Sequence, residues 1–123
     1  MTPSPPWSLV YADGSANVHR LDADDDGVTY RYEPVTPPRS STGHYSGGAP
    51  RHERLAVDDP RVHALWRAVD ALERDHAHHA AARAKGDGAL TMTVAGLTRS
   101  ALVVRAALGE LEAVLAGLGQ VAG

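Results

Sequence analysis

Three stretches of this chain hold residues whose types and spacing could do chemistry. The first is Asp22-Ala23-Asp24-Asp25-Asp26-Gly27, with Glu33 six residues beyond the glycine. It satisfies the D-x-D-x-D-G-x₅-E spacing of a calcium-binding hand, in which alternate carboxylates converge on a hard cation and the last closes the site. Asp22, Asp24 and Asp26 would supply oxygens, Gly27 the sharp turn and Glu33 the closing carboxylate. The flanking pattern points elsewhere. A calcium hand needs a helix on each side, whereas Val28, Tyr30 and Tyr32 alternate with Thr29, Arg31 and Glu33 in the period of a strand, and Pro34 and Pro37 cannot continue a helix. Extended chain at about 3.3 Å per residue would carry Glu33 roughly 20 Å from Gly27. The motif therefore reads as an acidic hairpin turn, with exposed cation binding at Asp22, Asp24 and Asp26 as the alternative.

The second stretch is Thr36 to Pro50 (TPPRSSTGHYSGGAP), in which eleven positions are Pro, Gly, Ser or Thr. Ser40, Ser41 and Ser46 lie near His44, and Tyr45 could also donate a proton. A serine nucleophile needs a base held by a third group and a fixed oxyanion hole, and neither a third group nor a G-x-S-x-G turn is present. Gly43, Gly47 and Gly48 are not followed by lysine, so this is no phosphate-binding P-loop, although Arg39 and Arg51 could attract an anion. A long polar segment with one aromatic residue is instead suited to protein recognition, through Arg39, Ser40, Ser41, His44, Tyr45 and Ser46. The competing reading is a structural loop in which Tyr45 packs back on the domain.

The third is His76, His78 and His79. On a helix, His76 and His79 share a face with Glu73 or Asp75 and could hold zinc or nickel. A closed site needs three or four ligands, and His63 lies thirteen residues upstream, about 20 Å along a helix axis. A solvated helix end satisfies the same pattern.

The elements that must position these groups follow from periodicity. Residues 1–6 read as a disordered, proline-rich tail, and residues 7–123 as one domain. Ser8 to Tyr11, Asn17 to Leu21 and Val28 to Glu33 form a three-stranded meander, turned at Asp13-Gly14 and at the acidic cluster. A long Pro/Ser/Gly loop occupies 34–54 and is expected to carry the chain from the third strand to a helix cap at Asp58. Asp58-Asp59-Pro60 starts a helix whose Val62, Leu65, Trp66, Val69 and Leu72 share a face. Leu90 to Val94 reads as a strand, Ala95-Gly96 as a turn, Arg99 to Arg105 as a further strand and Gly109 to Leu118 as a terminal helix. The region 97–108 also fits a four-three helical repeat. The expected class is α+β: an antiparallel sheet of four or five strands covered on one face by two helices.

Composition narrows the function classes. The chain has 123 residues, a net charge of −3 and no cysteine, so it makes no disulfide and uses no thiol chemistry. Its arginines form no basic stripe, which speaks against nucleic acid. No signal-peptide pattern or membrane-length apolar run is apparent, and a cytoplasmic location is expected. No motif calls for a cofactor. The resulting expectation is a non-enzymatic module acting on a protein partner through residues 36–50. Self-association as a homodimer would use exposed sheet edges or the Leu-rich C-terminal segment. A small-ligand or metal-binding protein, or a small enzyme using Ser40 to Gly48 with His44, is the alternative.

Overall fold

The computed structural model describes residues 2–14, 17–34, 50–74 and 86–118. Six strands are present among them: β1 (Trp7–Gly14), β2 (Val18–Asp24), β3 (Gly27–Glu33), β4 (Arg51–Leu55), β5 (Gly86–Val94) and β6 (Leu97–Val103). Helix α1 (Pro60–Arg74) follows β4, and α2 (Gly109–Ala116) follows a single 3₁₀ turn at Arg105–Ala107. The strands form one antiparallel sheet in the order β4-β3-β2-β1-β5-β6.

Strand alternation decides which face is covered. Trp7, Leu9 and Tyr11 of β1, Leu21 and Ala23 of β2, Val28 and Tyr30 of β3, and Leu90 and Met92 of β5 are all buried, and cross-strand register puts them on one face. Both helices lie on that face. Trp66 of α1 meets Trp7 edge-on, with ring centroids 5.0 Å apart, and Glu112 of α2 accepts a 3.0 Å hydrogen bond from the Tyr11 hydroxyl. Val62, Leu65, Trp66, Val69 and Leu72 supply the buried stripe of α1, and Leu111 and Leu115 that of α2. Ion pairs mark the path of α1 across the sheet, from Arg61–Glu53 on β4 at 2.6 Å to Glu73–Arg99 on β6 at 2.9 Å.

Local chemistry fixes the turns and the helix start. Asp59 caps α1: its Oδ1 accepts from the Arg61 amide at 2.8 Å and its carbonyl from the Val62 amide at 2.9 Å, with Pro60 supplying a helical φ at the first position. Ala95 and Gly96 both have positive φ, 53° and 79°, which makes the β5–β6 connection a two-residue type I′ turn. Between β2 and β3, Asp24 Oδ1 accepts from the amides of Asp26 and Gly27, both at 2.9 Å. Gly27 is required there by space, because a Cβ would sit 2.7 Å from the Leu55 carbonyl of β4.

The α+β class and the helices on one sheet face match the sequence expectation, but among the described residues the sheet has six strands where four or five were expected. The additional strand is β4, inside the region read as loop. Arg-His-Glu-Arg-Leu contains one apolar residue, and only Leu55 of the five is buried, so the segment carries almost no hydrophobic signal. Its order comes from pairing with β3, from Val28↔Leu55 to Tyr32↔Arg51. Consequently the 34–50 segment joins two neighbouring strands and does not cross to the helix cap; residues 56–59 make that connection. The last strand begins at Leu97 and ends at Val103, two residues earlier at each end than expected.

Candidate functional site

Where β3 gives way to the 34–50 segment, the helix-facing residues change from aliphatic to aromatic and polar. Register aligns Tyr11 with His19, His19 with Tyr32, and Tyr32 with Arg51, so four neighbouring strands contribute one cross-strand row. The side chains follow the row. Tyr11 and His19 are stacked with centroids 5.8 Å apart, His19 and Tyr32 approach to 4.7 Å, and the Arg51 guanidinium lies 4.7 Å above the Tyr32 ring. Gly88 on β5 makes room at the start of the row, since a Cβ there would meet the Tyr11 ring at 2.5 Å.

Tyr30, two residues before Tyr32 on the same face, ties the row together. Its hydroxyl lies 2.8 Å from His19 Nδ1 and 3.4 Å from Arg51 Nη2. Arginine can only donate, so the hydroxyl accepts from Arg51 while it hydrogen-bonds the His19 ring, joining β2, β3 and β4 at one oxygen. Burial is the main cause of two shifts: it lowers His19 to about 4, with the Arg51 charge adding to the effect against the opposing pull of Asp13, and it raises Tyr30 to about 12. Both groups are therefore neutral at pH 7. Asp13 closes the adjoining turn by accepting from the Asn17 amide at 3.0 Å and from Asn17 Nδ2.

Glu53 and Arg54 of β4 are tied down as well. Glu53 takes two hydrogen bonds from Arg61, at 2.6 and 3.0 Å, and Arg61 also reaches Asp59 at 3.0 Å. Hydrogen bonding from Arg61 holds the Asp59 carboxyl below the usual carboxylate range. On the opposite face Arg54 donates to Thr29 at 2.6 Å and to Asp24 at 3.0 Å. The arrangement fixes one end of the 34–50 segment through Arg51.

The acidic motif is dispersed along a hairpin. Asp22 is exposed on the face opposite the helices, Asp24 is engaged by the turn and by Arg54, and Asp26 sits in the turn. The Asp26 amide, helped by Arg54, holds the Asp24 carboxyl below its usual range. Glu33 lies at the other end of the hairpin, opposite Val18, and pairs with Arg20 at 2.7 Å, so it is not brought to Asp22, Asp24 or Asp26. Among the described residues no group of three or more His, Asp or Glu converges as a metal site. Arg39, Ser40, Ser41, His44, Tyr45 and Ser46, like His76 and His79, lie outside the described residues. His63 bonds Thr2 Oγ1 at 2.6 Å and, with Pro60 and Arg67, lines an open groove of about 550 Å³.

His19 and Arg51 were not expected from the sequence as partners of the tyrosines. Parity carried a signal for the first, because His19 stands two residues before Leu21 and therefore on its face. No family model, curated protein or solved structure matches the chain.

Proposed function

We propose that this protein is a non-enzymatic interaction module that engages a protein partner through residues 36–50, with Arg39, Ser40, Ser41, His44, Tyr45 and Ser46 as the contact set. The observation that carries this reading is the Tyr32↔Arg51 pairing. It leaves the two ends of a seventeen-residue connection side by side, where a β-hairpin needs only about 2 to 5 residues. None of the extra length is taken up in spanning distance. The ring row under Arg51 and the Arg61–Glu53 pair anchor the segment to rigid strands, which lowers the cost of ordering a binding surface. The same anchoring gives His19 a structural partner set, favouring recognition over acid–base chemistry.

Because the strand ends are adjacent, residues 35–49 can be replaced by Asn-Gly. That variant is expected to melt within about 4 °C of the parent and to lose capture of partner protein from a lysate of the source cells. The double variant Tyr45→Ala, Arg39→Ala should lose capture at unchanged Tm. Collapse of stability in either variant would make the segment structural, and capture retained by the shortened chain would place binding elsewhere.

A further inference from the structure

We infer that the outer edge of β6 pairs with β6 of a second copy of this chain, in antiparallel register about a two-fold axis at Ser100. The two edges of the sheet are treated differently. β4 is five residues long and carries Arg51, His52, Glu53 and Arg54, the charged, short form of an edge that resists pairing. β6 is seven residues long, Leu-Thr-Arg-Ser-Ala-Leu-Val, with one charge, and among the described residues no strand pairs with its outer side.

The free hydrogen-bonding groups can be assigned. A two-residue type I′ turn is flanked by a hydrogen-bonded pair, here Val94↔Leu97. Leu97, Arg99, Ala101 and Val103 therefore bond to β5, and the amides and carbonyls of Thr98, Ser100 and Leu102 point outward. Full antiparallel overlap of a seven-residue strand with itself puts the two-fold at its fourth residue, Ser100. All three outward residues are then used, as Ser100 with Ser100 and Thr98 with Leu102 of the second copy.

Charge and apolar surface fit this register. Arg99 comes opposite Ala101, so no like charges face each other, and each Arg99 keeps Glu73 of its own α1 at 2.9 Å. Leu97, 73% exposed and the large hydrophobic residue left in solvent among those described, comes opposite Val103 of the second copy. A seven-residue edge is smaller than the roughly 1,600 Å² of a standard interface, so the dimer is concentration-dependent. The joined sheet would place the two β4 strands roughly 50 Å apart at about 4.8 Å per strand. Resting on the proposed function, this offers two copies of the binding segment at opposite ends.

Sedimentation velocity of the full chain over a wide concentration range should show a monomer–dimer shift. Ser100→Lys, which sets like charges face to face, should abolish it. Ser100→Pro should do the same, since it removes an outward amide and no bond to β5. The chain has no cysteine, so single cysteines report register: Ser100→Cys should form a disulfide dimer under mild oxidation, at a Cα separation of about 5.5 Å. Thr98→Cys, about 13 Å from its symmetry mate, should not. A monomer at all concentrations, a dimer indifferent to Ser100→Lys, or equal cross-linking at 98 and 100 would overturn the assignment. These readouts do not involve partner capture, so this inference and the proposed function can fail separately.

Discussion

At the β4 edge, Arg51, Glu53 and Arg54 are each committed: Arg51 to the Tyr32 ring, Glu53 to Arg61, and Arg54 to Thr29 and Asp24. At the β6 edge the side-chain ladder is made of hydroxyls, with Thr91–Ser100 at 3.3 Å and Thr93–Thr98 at 3.0 Å, and the lone Arg99 reaches back to α1. Both strands belong to one sheet, yet their order has different origins. β6 is the second arm of a tight hairpin and is held by local geometry. β4 arrives after a long excursion and is held by specific contacts with β3 and α1. The edge that depends on specific contacts is the one that carries the 34–50 segment, and its charges deter pairing where a binding surface would have to stay accessible.

Leucine truncation tests this contrast most strongly. Leu55 is the buried anchor of β4 at 2% exposure, whereas Leu97 of β6 is 73% exposed. Leu55→Ala should cost about 2–5 kcal/mol in urea unfolding, and Leu97→Ala, measured on dilute protein, less than about 0.5 kcal/mol. Equal losses would break the comparison.

Acid offers a second, smaller test. His19 takes a proton near 6.5 when unfolded and only near 4 when folded, so the unfolded chain binds more protons between those values. Stability contributed by neutral His19 is therefore complete above pH 6.5 and is lost as pH falls to 4, by up to about 3 kcal/mol. Hydrogen exchange should show the β3–β4 amides losing protection before those of β5–β6. His19→Gln should flatten the pH dependence in this window; an unchanged slope would remove His19 as its source.

The smallest effect concerns the hairpin. Ala95 holds φ at 53°, a left-handed conformation that costs a non-glycine residue roughly 1 kcal/mol and that asparagine tolerates better. Ala95→Asn creates the Asn-Gly pair favoured in type I′ turns and should stabilise the protein by about 0.5–1 kcal/mol in thermal melts. A loss of stability would show that the β5–β6 hairpin is not set by its turn.

Much of the framework was legible before any coordinates. Val28, Tyr30 and Tyr32 alternate as a strand must, Asp58-Asp59-Pro60 starts a helix, although the cap is Asp59 and not the expected Asp58, and Ala95-Gly96 closes a hairpin. The acidic cluster was legible as a turn because the residues after it could not continue a helix. The site was legible only in part: Tyr30 and Tyr32 could be put on one face, whereas nothing near Arg51 in the chain says that it lies over Tyr32.

The division has a physical cause. Turns, caps and alternation depend on the φ preferences and side-chain direction of residues within a few positions of one another, so the sequence by itself determines them. The β4 strand, the Tyr11–His19–Tyr32–Arg51 row and the assignment of the two edges depend on which distant strands become neighbours. Tyr11 meets Leu90, and Tyr32 meets Arg51, through pairings whose energy is shared across the whole sheet. A five-residue polar strand with one buried leucine has too little hydrophobic pattern to declare itself. Only the tertiary structure, by supplying β3 as a template and α1 as a counter-ion, made it a strand.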